Sequence, residues 1–214
     1  MTSRAFRVLL TAVLAAGCAS APSGGNSASG SIGVTRDDAL LYAAESDLDQ
    51  VFVIDARTHE VLSRVAVGRQ PEKVLVASDD TVYVTNRMDR SVSVLRRGET
   101  TEAARLQVAV EPVGLAASAD ARTLYVVNAT SLTDADFGTV MAFDTASRTL
   151  KWEMAVGPEP RGIALLGDGR AAVTLYKSGD VVFLDAATGQ VVKAGTDVYE
   201  QLNRTSLGIA TGGD

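Results

Sequence analysis

Cysteine, histidine and tryptophan each occur once in 214 residues. One cysteine excludes an internal disulfide, a four-cysteine zinc site and a cysteine-ligated iron–sulfur cluster. One histidine excludes a multi-histidine metal centre, and no C-x-x-C-H is present to attach haem, so no cofactor is expected. Aromatic residues are scarce: five Tyr and five Phe beside the single Trp are too few for a base-stacking platform. Positive charge is in deficit, with Lys+Arg 20 against Asp+Glu 26 and a formal net charge of −6. That balance argues against a phosphate-backbone binder, so no nucleic-acid partner is expected. No G-x-S-x-G, P-loop or paired nucleophile and base stands out, so the chain is not read as an enzyme. The rest is ordinary: 46% hydrophobic and 21% charged residues suit a folded protein of one domain, or two.

The N-terminus carries an address. Arg4 and Arg7 precede an apolar stretch from Val8 to Ala16, broken only by Thr11. That length suits a signal-peptide core and falls short of the roughly 20 residues a bilayer span needs. It ends in Leu14-Ala15-Ala16-Gly17-Cys18, which resembles the lipobox of bacterial lipoproteins. The resemblance implies cleavage before Cys18 and acylation of its thiol. Residues 1–17 are then a signal peptide. Losing Arg4 and Arg7 leaves 18 basic against 26 acidic residues, a net charge of −8. Ala19 is not the Asp that signals inner-membrane retention in enteric bacteria, so the expected address is the outer membrane. Residues 18–33, the acylated cysteine and a Ser/Gly/Ala-rich segment, read as a flexible tether.

From residue 34 the chain repeats. Tyr42-Ala-Ala-Glu45, Tyr83-Val-Thr-Asn86, Tyr125-Val-Val-Asn128 and Ala172-Val-Thr-Leu175 recur about every 41–47 residues. Val51–Asp55, Val92–Arg96, Val140–Asp144 and Val181–Asp185 keep phase with them, as do Pro71, Pro112 and Pro160. Short runs rich in Val, Ile, Tyr and Thr alternate with turn residues, and no long helical stripe appears. Four short strands in about 41 residues predict an all-β fold, a propeller of four-stranded antiparallel blades, here about four. Tyr83-Val84-Thr85-Asn86 is the literal YVTN word, and the line V-x-V-G-x-x-P, Y-V-T-N, S-V-S-V-L resembles the YVTN-repeat β-propeller family over residues 34–214. That family includes surface-layer and periplasmic proteins and modules joined to redox domains, and it usually has about seven blades. Two readings follow: a small four-bladed ring, or part of a larger one. Naming the strands of a blade A to D from the axis outward, the chain is expected to enter at strand B near Leu40–Ala44, with Leu207–Thr211 supplying the last A strand.

The connections D–A and B–C emerge on one face, where ligand and partner sites are expected. The candidate binding residues there are Arg69, Glu72, Asn86, Arg87, Asn128, Asp134, Asp136 and Arg161. The last two acids lie in Ser131–Gly138, the one irregular insertion. Asp134 and Asp136 could offer carboxylates to a cation, but no EF-hand pattern surrounds them, and no metal site is assigned. Asp55, Asp144 and Asp185 end C strands and suit turns whose side chain caps the backbone. His59 falls on the opposite face. The expected function is a membrane-anchored envelope lipoprotein whose propeller binds a protein or envelope polymer without catalysis. The alternatives are an accessory to a redox system (a cytochrome or quinone-dependent dehydrogenase) and, less favoured, a lactonase-like hydrolase.

Overall fold

The computed structural model describes residues 30–133 and 136–194. The signal peptide, Cys18 and Leu207–Thr211 lie outside the described residues. Among the described residues sixteen strands form four antiparallel sheets of four, each meandering in chain order. Sheet I holds β1 (Ile32–Val34), β2 (Leu40–Glu45), β3 (Gln50–Asp55) and β4 (Val61–Ala66). Sheet II holds β5 (Pro71–Val76), β6 (Val82–Asn86), β7 (Ser91–Leu95) and β8 (Ala104–Gln107). Sheet III holds β9 (Val110–Ala117), β10 (Thr123–Thr130), β11 (Gly138–Asp144) and β12 (Leu150–Gly157). Sheet IV holds β13 (Pro160–Leu165), β14 (Arg170–Leu175), β15 (Val181–Asp185) and β16 (Val191–Ala194).

The entry of the chain differs from expectation. Strand A of the first sheet is β1, not a C-terminal strand. Ile32, Gly33 and Val34 pair with Ala43, Tyr42 and Leu41. Gly30 adds a bridge to Val74 of sheet II. Close packing explains the small residues here: a Cβ on Gly33 would stand 2.9 Å from Val76 Cγ2. The last residues assigned to the tether are thus part of the sheet.

Alternation along each strand sends side chains to both faces, and the sheets stack face to face. Three apolar clusters fill the three junctions. Tyr42, Val51, Val53 and Val65 of sheet I meet Val74, Val82, Val84 and Leu95 of sheet II. Tyr83, Val92 and Val94 of sheet II meet Leu124, Val126, Met141 and Phe143 of sheet III. Tyr125, Val127 and Val140 of sheet III meet Val173, Leu175, Val182 and Leu184 of sheet IV. Trp152 and Met154 pack against this last cluster, and the Trp152 ring lies 5.9 Å from that of Tyr125. The repeated tyrosine acts as a rivet to the following sheet. Tyr42 Oη accepts from Gly98 N (3.1 Å), and Tyr125 Oη donates to the Ala186 carbonyl (3.0 Å).

The three C-strand aspartates do what their turns require. Asp55 Oδ1 accepts from the amides of Arg57 and Thr58. Asp144 Oδ1 accepts from Ser147 N and Oγ, and Asp185 Oδ1 from the Thr188 hydroxyl first and then the amides of Thr188 and Ala187. These bonds hold all three carboxyls below their ordinary value.

Candidate functional site

The face carrying the D–A and B–C connections neutralises itself. Arg69 donates through its backbone amide (2.7 Å) and Nε (2.5 Å) to Asp89. Those two bonds, the amide first, keep the Asp89 carboxyl below its usual range. Arg87 meets Glu111 at 3.3 Å, and Glu72 meets Lys73 at 3.4 Å. Arg161 pairs with Glu159, and its guanidinium also lies 5.6 Å from the Tyr176 ring centre. Gln70, Glu111 and Glu159, each just before a proline, all take the left-handed conformation, so the D–A connections share one tight shape. Asp136 is exposed in the insertion, which Ser131 N closes onto the Phe137 carbonyl at 2.7 Å. Asp134 lies outside the described residues.

Asn86 and Asn128 are wrongly placed for ligand binding, because both are fully buried. Asn86 Nδ2 donates to Ser91 Oγ (3.0 Å) and Ser93 Oγ (2.8 Å), and Asn128 Nδ2 to Thr139 Oγ1 (3.2 Å). Asn86 fills the space that Gly68 leaves open: a Cβ there would stand 2.6 Å from Asn86 Cγ. In sheet IV the same partnership is apolar, Leu175 against Gly157. The terminal residue of strand B is therefore a packing position. His59 sits exposed in the C–D turn of sheet I, in the left-handed conformation.

The concavity lies on the opposite face, where the A–B turns converge on the axis. A cavity of about 560 Å³ opens there, lined from all four sheets. Four equivalent turn positions surround it: Arg36, Ser78, Ala119 and Gly167. The matching left-handed residues Asp38, Asp80, Ala121 and Gly169, two positions further on, set their register. Three small residues create the room and the fourth supplies a cation. A chain of hydrogen bonds runs around the rim. Arg36 Nη1 donates to the Ser78 carbonyl (3.2 Å), and Ser78 Oγ donates to the Ala119 carbonyl (2.8 Å). Arg36 makes no ion pair among the described residues, and the cavity lining contains no carboxylate. Arg170, also in the lining, pairs with Asp168 at 2.6 Å. Beside the cavity Arg97 clamps sheets I and II, meeting Asp37 at 2.5 Å and Asp80 at 2.7 Å. The Arg97 hydrogen bond is the chief reason the Asp37 carboxyl is held down to about 2.

The turn triplets around this cavity are visible in the sequence as punctuation. Their signal was the repeat itself: equivalent A–B turns of stacked sheets must meet near the axis, and only Arg36 breaks the run of small residues.

No protein-family model matches the chain, and no curated protein does. Solved structures match well. A chain of Kuenenia stuttgartiensis hydrazine synthase aligns with TM-score 0.69 and 28% identity, over 77% of this chain and 47% of that one. The periplasmic gluconolactonase PpgL of Pseudomonas aeruginosa aligns with TM-score 0.61 and 23% identity, over 77% and 52%. A chain of the mitotic checkpoint complex aligns with TM-score 0.62 and 18% identity, over 76% and 50%. The fold is that of a β-propeller. The present chain spans about half the length of these propeller-containing chains, and its four sheets are four blades.

Proposed function

We propose that this protein is a lipid-anchored component of a bacterial cell envelope whose propeller binds a ligand without transforming it. The axial cavity carries the binding reading. Its volume of about 560 Å³ falls in the range of small-molecule sites, and largely apolar walls with Arg36 beside an Arg170 already paired to Asp168 suit an apolar body bearing an acidic group. Such groups occur on envelope polymers and acyl chains, and on protein partners with an acidic, apolar tip. The lipobox around Cys18 supports the anchor.

Two measurements test the reading. Intact mass of the protein from its own membranes should fit an acylated chain starting at Cys18, and Cys18→Ala should move it to the soluble fraction. A dansyl-labelled fatty acid should bind saturably, at least tenfold more weakly to Arg36→Ala, and not at all to Ala119→Trp. Binding that ignores both substitutions would refute the cavity as the site.

The likeness to a chain of a hydrazine synthase favours a second reading, an accessory propeller in a redox system. Under that reading the protein solubilised from its membranes co-elutes with a haem- or quinone-containing partner. The gluconolactonase likeness supports the fold alone; turnover of gluconolactone by the pure chain would make it more.

A further inference from the structure

Among the described residues the four blades form an arc with two uncovered end faces. Neighbouring inner strands touch at each internal junction, β1 with β5, β5 with β9 and β9 with β13, but blade IV makes no comparable junction with blade I among the described residues. The outward face of blade IV carries Ala164, Ala172, Thr174, Val181 and Phe183. That of blade I carries Val34, Leu41, Ala43, Phe52 and Ile54. All but Thr174 are apolar, and all are exposed or only half-buried.

Both faces keep the pattern of an internal junction. Towards the following blade, blades I to III each present one aromatic and one small residue as a cross-strand pair: Tyr42 with Val53, Tyr83 with Val94, Tyr125 with Ala142. Blade IV presents Ala172 with Phe183. The aromatic has moved from strand B to strand C, and the volume of the pair is kept. Towards the preceding blade, blades II to IV present Val82 with Leu95, Leu124 with Phe143 and Ala171 with Leu184. Blade I presents Leu41 with Ile54 and Ala43 with Phe52. A terminal blade selected for water would show polar residues at these positions, as capping repeats do. Here Arg64 lies over Phe52 and Arg170, paired with Asp168, lies over Phe183, each 5.3 Å from the ring centre. Thr174 adds a further polar group on the blade IV face, where Lys193 stands in register beside Phe183, so among the described residues the cover is side chains and no packed blade.

We infer that two copies of this chain close head to tail into an eight-bladed ring, blade IV of each packing on blade I of the other. The occupant of each end face is then a surface of the kind it was patterned to meet, and the three internal junctions continue as two further ones. The symmetry is a closed two-fold along the channel, which leaves no free end. The axial cavity becomes half of a central channel, with an Arg36 from each copy.

The test is the native mass of the full chain, Cys18→Ser, in solution at micromolar concentration. The expected species has twice 22.3 kDa. Phe183→Glu and Ala43→Glu each sit on an end face outside the internal clusters. Each should leave the circular dichroism unchanged and raise the dimer Kd about 30-fold or more. Oxidising the double variant Ala43→Cys, Ala172→Cys should give a covalent dimer and no longer species. A monomeric wild type, a dimer indifferent to both glutamates, or open polymers would each overturn the closed ring. None of these readouts depends on the fatty-acid probe, so the ring and the cavity site can fail separately.

Discussion

Gly138 tests the packing of the blades most directly. It opens strand C of blade III, where blade IV begins. A Cβ added there would overlap Pro160 Cδ and the Asn128 carbonyl oxygen, both far inside the 3.0 Å that real Cβ contacts respect. Neither obstacle can rotate away, because one is backbone and the other a ring. Gly138→Ala should therefore cost about 3 kcal/mol, the upper end of overpacking penalties. Two other glycines calibrate it. Gly98 has φ +72° and nothing within 4 Å of a new Cβ, so Gly98→Ala pays only the left-handed strain, about 1 kcal/mol. Gly167 has neither obstacle nor positive φ, so Gly167→Ala should stabilise by about 0.5 kcal/mol through the unfolded chain. Urea unfolding followed by circular dichroism and by Trp152 fluorescence reads all three. With a slope of about 2 kcal/mol per molar, Gly138→Ala should lower the midpoint by about 1.5 M. Trp152, in the blade III–IV cluster, should report the earliest loss. A Gly138→Ala midpoint close to that of Gly98→Ala would refute the contact between blades III and IV.

Further expectations follow from single bonds. Tyr125→Phe removes the donor to the Ala186 carbonyl and should cost about 1 kcal/mol, read as a urea midpoint, while the ring contact with Trp152 persists. Asn86→Ala leaves Ser91 and Ser93 hydroxyls without their buried partner and should cost about 2 kcal/mol with no effect on fatty-acid binding; the reverse pattern would return Asn86 to the binding face. Acid should weaken the fold through Asp37, whose carboxyl is ordinary at 3.8 when unfolded and about 2 when folded. Its contribution is complete above pH 4 and disappears as pH falls towards 2, so Asp37→Asn should flatten the urea midpoint over that window.

The blade architecture was legible because a propeller writes its packing rule four times. Tyr42, Tyr83 and Tyr125 recur since each must bridge to the next blade, and Asp55, Asp144 and Asp185 recur since each must cap a turn. The first A strand was not legible. Three residues, Ile32–Val34, lie at the end of a Ser/Gly stretch, and only the approach of Val74 and Val76 shows that Gly33 is there for closeness. The candidate site was misjudged for a related reason. Charged loops look available in a sequence, yet Arg69 and Arg87 find their acids 20 and 24 residues away, pairings that appear only when D–A and B–C connections meet in space, and Arg161 is taken by Glu159 two residues back. Buried Asn86 and Asn128 looked like loop residues because strand ends and turns share the same amino acids.

Repetition also separates structure from function. A residue present once per blade answers a need that every blade has, and a single site has no use for four copies. Individual properties belong where the repeat breaks. Arg36 breaks it at the axis, standing where the other blades have Ser78, Ala119 and Gly167. Ala172 and Phe183 break it at the free end, by exchanging an aromatic across one strand pair. The two breaks differ in kind. The exchange at blade IV keeps the volume and the apolar character, which is what an interface requires. The change at the axis alters both charge and size, adding a cation where the fold needs only a small residue. The Arg36 guanidinium ties blade I to the Ser78 carbonyl of blade II, a bond that Ala119 and Gly167 complete equivalent turns without. Arg36, without an ion pair among the described residues, is accordingly the residue on which the proposed binding is to be tested, and the preserved pair at blade IV the one on which the proposed ring is.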